Sequence, residues 1–299
     1  MTDGAITDGT MTDTESRAVR AAHRREGEFP PAPEPLTVPA LDSHTHLDIV
    51  GGDPARQIAA AAAAGVTRIV QVGCDVPSSR WSAALAASHA SVLATVALHP
   101  NEAPRLAASA PAELDEALRV IEGLAAEPRV RAIGETGLDT FRTGQDGRVA
   151  QEASFRAHIA LAKRFGKPLM IHDRDAHADV LRVLDEEGAP DVVVLHCFSG
   201  DVFFATECVR RGYVLSFAGT VTFKNAGSLR DAARITPLDQ MLVETDAPYL
   251  TPMPYRGRPN APYLIPLTVR GLAEATGRDL DDVCAGISAT GERVFGPWQ

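Results

Sequence analysis

Residues 36–48 read LTVPALDSHTHLD, a short apolar run that ends in two histidines separated by one residue. In a β-strand, alternate side chains point to the same face, so His44 and His46 would converge on one point and could hold one metal ion. A solvated surface pair is the alternative, because histidine also fills many ordinary polar positions. The remainder of the chain has to decide between the two.

Seven further apolar runs follow this first one. They are VTRIVQVGC (66–74), VLATVALHP (92–100), RVRAIGE (129–135), KPLMIH (167–172), DVVVLH (191–196), YVLSFAG (213–219) and MLVETD (241–246). Helical patterns separate them, at 53–64, 111–127, 150–165, 176–187, 202–211 and 226–235. The first of these has Asp53 as a suitable N-cap and Pro54 at the first helical position. Strands that alternate with helices predict an α/β fold, and a count of eight favours a closed (β/α)8 TIM barrel over an open sheet.

The N-terminal part of the chain has a different composition. It begins with the polar, partly repetitive TDGAITDGTMTDT and continues into the proline-rich FPPAPEPLTVP. Such a segment buries too little apolar area to offset the entropy of ordering it. We therefore expect residues 1–36 to form a disordered arm and an extended linker, and residues 37–299 to form the barrel domain.

Charge and cysteine content restrict the class of protein. A net charge of -10 argues against non-specific coating of duplex DNA, although a local basic site could still grip a few phosphates. The four cysteines are scattered, so neither a disulfide framework nor a thiolate zinc knuckle is expected. With no signal peptide or membrane-spanning run visible, the expected location is the cytoplasm.

Metal-competent side chains stand at the C-terminal ends of most predicted strands. They are His44 and His46, His99, Glu135, His172, His196 and Asp246, on strands one, three, four, five, six and eight. Any one of them alone would more often be structural. In a parallel barrel, however, these ends meet at one face, so their coincidence indicates a shared active site. The remaining histidines, His23, His89, His158 and His177, are expected in the tail or on solvated helix faces.

All of these side chains except His99 form a donor set of six imidazoles and carboxylates without thiolate, which suits zinc, manganese or iron at a catalytic site. Six ligands exceed the needs of one tetrahedral ion. We therefore expect two divalent ions (zinc, magnesium or manganese), bridged by Glu135 and roughly 3.5 to 4 Å apart. Such a pair activates a water molecule for attack, and Asp246 is placed to orient or deprotonate that water.

The motifs DSHTHLD, GETGLD, IHDRDA, HCFSG, VTFKNA, ETDAPYLTP and PYRGRPN, in this order, resemble those of the TatD family of metal-dependent deoxyribonucleases. That family belongs to the amidohydrolase-like TIM barrels, and the resemblance runs from about Leu41 to Gly296. It implies that His44, His46, Glu135 and Asp246 hold one metal ion. It also implies that Glu135 bridges to a second ion held by His172 and His196, and that His99 faces the substrate phosphate.

The chain departs from the family pattern at the rim of the expected site. Asn101 replaces a histidine in HPNEA, Thr140 replaces a common aromatic residue in GLDTFR, and RPNAP lacks an acidic residue after Asn260. We expect these changes to affect substrate preference more than metal chemistry.

Basic residues in the predicted loops could form a phosphate-binding rim on an acidic protein. The candidates are Arg142, Lys224, Arg256 and Arg258. The three arginines are the better ones, because guanidinium groups match phosphate oxygens bidentately. Arg174 could contact phosphate or pair with Asp173 or Asp175. Tyr249 and Phe198 could stack on a base or simply pack in the core.

These observations lead to a metal-dependent phosphodiester hydrolase as the expected function. The resemblance implies a deoxyribonuclease, with 3′-5′ exonuclease action on single-stranded DNA ends, and we expect a monomer. The first alternative is a metal-dependent hydrolase of a non-nucleic-acid ester, amide or aminoacyl bond, because one barrel hosts many chemistries. Glu135 fits the nuclease branch, since many amidohydrolases carry a modified lysine there. The second alternative is a non-catalytic scaffold, which the complete ligand set argues against.

Overall fold

A computed structural model describes residues 28–298, and eight parallel strands form its centre. The strands are β1 (Ala40–Thr45), β2 (Val66–Val72), β3 (Val92–Val96), β4 (Val130–Asp139), β5 (Leu169–Arg174), β6 (Val193–Leu195), β7 (Val214–Phe217) and β8 (Met241–Val243). Each strand pairs with the next one along the chain, so the spatial order is the sequence order. All eight predicted strands are confirmed.

Hydrogen bonds between the first and last strands close the sheet into a barrel. The amide of Asp246 donates to the carbonyl of His44, and the amide of His46 donates to the carbonyl of Ala247, both at 2.9 Å. Buried Asp42 adds two bonds across the same seam, from the amide of Thr245 at 2.9 Å and from its hydroxyl at 2.5 Å. The predicted (β/α)8 TIM barrel is therefore confirmed.

Helices surround the barrel. They are α1 (Leu47–Val50), α2 (Pro54–Ala63), α3 (Val76–Ser88), α4 (Glu102–Ser109), α5 (Pro111–Ala125), α6 (Gln145–Phe165), α7 (His177–Glu187), α8 (Val202–Arg210), α9 (Gly227–Ile235), α10 (Ile265–Thr276) and α11 (Leu280–Phe295). The predicted cap is present, because the side chain of Asp53 accepts a bond from the amide of Ala55. Helix α6 begins at Gln145, five residues before the predicted start at residue 150.

The core lies on both sides of the sheet, which explains why the strands read as apolar runs. Every residue of β3 is buried, and Val70 and Val72 of β2 are fully buried. Outside the sheet, Phe155 and Ile159 of α6 are buried against the barrel. Burial of each such side chain stabilises the fold by roughly 1.5–3 kcal/mol.

Residues 28–36 follow the barrel surface instead of extending away from it. The guanidinium of Arg258 donates to the carbonyls of Glu28 and Phe29, each at 2.9 Å. At the end of the segment, Leu36 is buried, and its amide donates to the carbonyl of Ala64 at 3.1 Å. The predicted linker is thus extended but bound to the barrel, whereas the predicted arm over residues 1–27 lies outside the described residues.

Within residues 28–298, no helix combines the length and apolar character that crossing a bilayer would require.

Candidate metal centre

The C-terminal ends of the strands bring the predicted ligands together. From β1, the Nε2 atoms of His44 and His46 lie 3.2 Å apart. Oε2 of Glu135, on β4, lies 3.3 Å from His44 Nε2 and 3.7 Å from His46 Nε2. Oδ1 of Asp246, just after β8, lies 3.5 Å from His46 Nε2. These four side chains form the first cluster, and they are the four expected to share one ion.

The other oxygen of Glu135 belongs to a second cluster. Oε1 lies 2.8 Å from Nδ1 of His172 and 3.3 Å from Nε2 of His196. It also lies 3.1 Å from Nε2 of His99, which the sequence placed on the substrate side. Glu135 therefore stands between the two clusters with one oxygen directed at each, as a bridging carboxylate must.

The donor atoms of both clusters fit cations. His44 Nε2 faces His46 Nε2 at 3.2 Å, and His172 Nδ1 faces His196 Nε2 at 3.4 Å. Two imidazole nitrogens at such distances repel through their lone pairs unless a proton or a cation lies between them. Since the residues supply imidazole and carboxylate atoms only, a divalent ion such as zinc or manganese suits each cluster.

The electrostatics of the site keep its carboxylates ionised. Burial alone would raise the pKa of Glu135, but His196, His99 and His172 outweigh burial and hold this pKa well below the ordinary value. Burial likewise opposes ionisation of Asp246, and the contact with His46 prevails and lowers the pKa of Asp246. Burial lowers the pKa of His44, which favours the neutral imidazole that binds metals.

Two residues of the site adopt left-handed backbone conformations that only glycine adopts without cost. Asp246 has φ 51°, and Cys197, next to His196, has φ 44°. Each such residue costs of order 1–3 kcal/mol, and residues of this kind concentrate at functional sites. Asp246 belongs to the first cluster and Cys197 follows His196 of the second, so both strained positions lie in the site.

Two carboxylates that support the centre were missed by the sequence analysis. Glu244 is fully buried and accepts a bond from Nδ1 of His196 at 3.1 Å. Asp139 lies 3.4 Å from Nε2 of His172. A two-residue period could have found both, because Glu244 precedes Asp246 by two residues and Asp139 follows Glu135 by four on one strand. The sequence predicted that the fourth strand ends at Glu135. In the structure, β4 continues to Asp139.

Cys74 is a third residue that the sequence analysis did not assign to the site. Its Sγ lies 3.4 Å from Oε2 of Glu135 and 3.8 Å from Nδ1 of His46. The thiol is buried and follows β2, a strand to which the sequence analysis assigned no metal ligand. Cys74, His46 and Glu135 form a further group that could hold a metal ion.

A cavity of about 610 Å³ opens above the centre. Its wall includes His46, Glu135, His172, His196 and Asp246, together with His99. Among the predicted rim residues, Arg142 and Arg174 line this cavity.

The other three predicted rim residues are placed differently. The guanidinium of Arg256 lies over the ring of Phe223, 4.4 Å from its centroid. The guanidinium of Arg258 donates to the carbonyls of Glu28 and Phe29. Lys224 is exposed and, like both arginines, lies outside the residues that form the cavity wall. Their contact with substrate stays a prediction.

One expectation about a side chain is wrong, and one pair of alternatives is decided by the structure. His158 was expected on a solvated helix face, but it is fully buried and accepts a bond from the amide of Leu98 at 3.0 Å. Phe198, considered for base stacking, is buried and packs against Phe204 and Phe217. Helix periodicity could not predict the burial of His158, because a buried histidine and an exposed one both fit the pattern of an amphipathic helix.

Asn101, which stands where the family usually has a histidine, is held in a polar network. Its amide nitrogen donates to Oδ2 of Asp139 at 3.0 Å, and its amide oxygen accepts from the hydroxyl of Thr143 at 2.8 Å. Because Asp139 also contacts His172, Asn101 takes part in fixing the second cluster rather than pointing freely into the cavity.

An eight-stranded parallel barrel with clustered imidazoles and carboxylates at the C-terminal ends of its strands defines a TIM-barrel metal-dependent hydrolase. Within that class, the chain belongs to the family described as TatD related DNase, which it matches over residues 41–296. Both conclusions agree with the resemblance of the sequence motifs.

Individual relatives support this assignment. The chain is 48% identical to a protein from Mycobacterium tuberculosis (strain ATCC 25618 / H37Rv) named as an uncharacterized metal-dependent hydrolase TatD, over 86% of this chain and 97% of that one. It is 36% identical, over 68% of this chain and 75% of the other, to a protein of Enterobacter lignolyticus named 3'-5' ssDNA/RNA exonuclease TatD. The crystal structure of YJJV, a TatD homologue from Escherichia coli K12, superposes with a TM-score of 0.76 at 27% identity, covering 86% of this chain and 97% of that one.

Proposed function

We propose that this protein is a two-metal phosphodiesterase that removes nucleotides from the 3′ end of single-stranded DNA. The observation that carries the proposal is the position of Glu135, whose two oxygens face two separate groups of imidazoles. A pair of adjacent divalent ions is suited to in-line displacement at phosphorus. The name of the Enterobacter lignolyticus relative supports the polarity and the single-stranded substrate.

In this proposal, His44, His46 and Asp246 would hold one ion, His172 and His196 would hold the other, and Glu135 would contribute one oxygen to each. When bound, the ions would supply Lewis-acid stabilisation of the phosphate charge and a water acidic enough to attack near neutral pH. The residues of the chain perform the remaining tasks. The carboxylate of Asp246 lies at the cavity wall with 15% of its side chain exposed, so it can accept the proton of the attacking water.

Positive groups on the cavity wall would hold the substrate. Arg142 and Arg174 line the cavity and present guanidinium groups that match phosphate oxygens. His99 also lines the cavity; its Nδ1 accepts from the amide of Asn101 at 3.1 Å, so its Nε2 proton, which faces Oε1 of Glu135 at 3.1 Å, is the one that a phosphate oxygen would take over. Because only these few groups are available, we expect binding to depend less on salt than that of a protein that coats duplex DNA.

The proposal is tested with single-stranded DNA oligonucleotides labelled at the 3′ or the 5′ end, in the presence of magnesium, manganese or zinc. We expect stepwise loss of nucleotides from the 3′ end by the wild-type protein and none by Glu135→Ala. Glu292→Gln, which changes an exposed carboxylate paired with Arg68, is a matched control and should retain activity. If neither strand is shortened with any of the three metals, the nuclease proposal is wrong, and ester and amide substrates become the next candidates.

A further inference from the structure

Phe141 is an aromatic side chain that faces water beside the cavity. It follows β4 by two residues and is 65% exposed. Single exposed apolar residues are common, so exposure alone carries little weight. The surroundings of this ring are more specific, because the guanidinium of Arg174 lies 4.0 Å from its centroid and Arg174 lines the cavity of the metal centre.

The backbone on both sides of Phe141 is fixed. Before it, Thr140 donates from its amide to the carbonyl of Arg174 at 3.0 Å and from its hydroxyl to the carbonyl of Asp175 at 2.7 Å. After it, the amide of Arg142 donates to Oδ1 of Asp139 at 2.9 Å. The ring therefore projects from a rigid loop, and presenting it to a ligand requires little additional ordering.

A planar guanidinium beneath an exposed ring is a suitable support for a flat, electron-rich ligand. Arg174, which contacts the ring, and Arg142, which follows Phe141 in the chain, both lie on the cavity wall, where a phosphate can be held. A nucleotide has this combination of a flat base and an adjacent phosphate. Of the two aromatic residues that the sequence offered for stacking, Phe198 is only 3% exposed and cannot take this part, whereas Tyr249 lines the cavity itself.

We propose that Phe141, supported by Arg174, is a stacking platform for one base of a single-stranded nucleic acid whose neighbouring phosphate lies in the cavity. This inference rests on the proposed function and adds a specificity-determining residue to it. A base in a duplex is already stacked on both faces, so the platform favours single strands. Stacking on an aromatic ring tolerates any base, so the platform gives no sequence preference.

The platform is tested by measuring kcat and KM on single-stranded DNA in which one abasic tetrahydrofuran residue is moved stepwise from the cleaved end. For the intact oligonucleotide, we expect Phe141→Ala to raise KM about 10-fold, in the range reported by alanine substitution for stacked bases, with little change in kcat. When the abasic residue occupies the stacked position, wild type and Phe141→Ala should have equal KM values. Phe141→Tyr retains a ring and should behave as wild type.

Ile235→Ala is the matched control. Ile235 is 40% exposed at the C-terminal end of α9, far from the face where the strands end, and its removal should leave both parameters unchanged. Thermal melting of each variant verifies folding. If wild type degrades DNA but Phe141→Ala loses the same factor on every abasic substrate, or loses nothing, the platform is wrong and the nuclease proposal stands. If wild type degrades no DNA, both proposals are overturned.

Discussion

His196 donates from Nδ1 to Oε1 of Glu244 over 3.1 Å, and its Nε2 lies 3.3 Å from Oε1 of Glu135. The amide of Cys197 donates to the same Glu244 oxygen at 2.9 Å. Within residues 28–298, the second oxygen of Glu244 has no hydrogen-bond partner, although it is fully buried. A carboxylate in this position fixes the orientation of the imidazole and makes its other nitrogen a better metal ligand.

Glu244→Gln should therefore weaken metal binding without removing a ligand. The amide has nearly the same shape, but it lacks the negative charge that supports His196. Loss of such a supporting group typically costs 10–100-fold in metal affinity. We expect calorimetric titration of the metal-free protein with zinc or manganese to show this loss for the ion that His172 and His196 are proposed to hold. Equal affinities for wild type and variant would show that Glu244 does not act through the metal.

Gly137 is a position where the strand cannot accept a side chain. Its φ is 137°, and a Cβ atom would lie 2.1 Å from the carbonyl oxygen of His172, its neighbour across the sheet. Gly137→Ala must displace β5 and with it His172. We expect a loss of stability of roughly 3 kcal/mol or more in urea unfolding, together with reduced metal content per chain.

Gly123→Ala is the control for that substitution. Gly123 lies inside helix α5, and its Cβ would meet no atom within 4 Å. Alanine is the better helix former, so this variant should gain roughly 0.5–1 kcal/mol and keep its metal content. A similar small effect from both glycine variants would mean that the approach of β4 to β5 is looser than the structure shows.

The sequence predicted the barrel well because its signal is repeated eight times. Most residues of each apolar run are buried, and on six of the eight strands a metal-competent side chain stands at the end of the run. The six expected ligands could be located because they stand at predicted strand ends, and His44 and His46 also alternate along the chain. This reasoning did not extend to Glu244 and Asp139, which stand two and four residues from an expected ligand, because spacing alone does not separate a carboxylate that supports a histidine from an ordinary polar residue.

Side-chain directions on the rim could not be predicted in the same way. Arg258 and Arg142 both follow strand ends, yet only Arg142 reaches the cavity. Arg258 turns to the carbonyls of Glu28 and Phe29, which lie 229 or more residues away in the chain. Such a choice depends on contacts between distant segments, and neither composition nor periodicity contains this information.

His158 should make stability depend on pH between about 4 and 6.5. Burial lowers the pKa of this histidine from 6.5 to about 4. Between these values the unfolded chain binds the proton and the folded chain does not, so acidification favours unfolding. The contribution of neutral His158 to the free energy of unfolding is complete above pH 6.5 and declines as the pH falls towards 4. Its full size is about 3 kcal/mol, from a shift of about 2.5 units at 1.36 kcal/mol each.

The His158 contribution can be isolated by comparing wild type with His158→Gln in urea unfolding at a series of pH values. Glutamine can accept a bond from the amide of Leu98, as His158 does, but it does not titrate. The free energy of unfolding of the variant should fall less steeply between pH 6.5 and 4. Parallel curves for the two proteins would contradict the assignment, because every other titrating group is common to both.

Removal of bound metal should lower the melting temperature, because only the folded chain gathers the imidazoles and carboxylates of the centre, so an ion binds the folded chain in preference to the unfolded one. His44 Nε2 and His46 Nε2 are 3.2 Å apart, and Oε2 of Glu135 lies between 3.3 and 3.7 Å from both. Metal at 100 times its dissociation constant stabilises a protein by about 2.7 kcal/mol. For a chain of this size, that corresponds to a rise of about 5 °C. Calorimetry with a chelator, and again after zinc or manganese is restored, should show this shift.

Glu135→Gln should lose most of the metal-dependent rise in melting temperature, since the charge proposed to bridge the ions is gone. Glu292→Gln is the control and should retain the rise. Equal shifts in both variants would exclude Glu135 as the bridge.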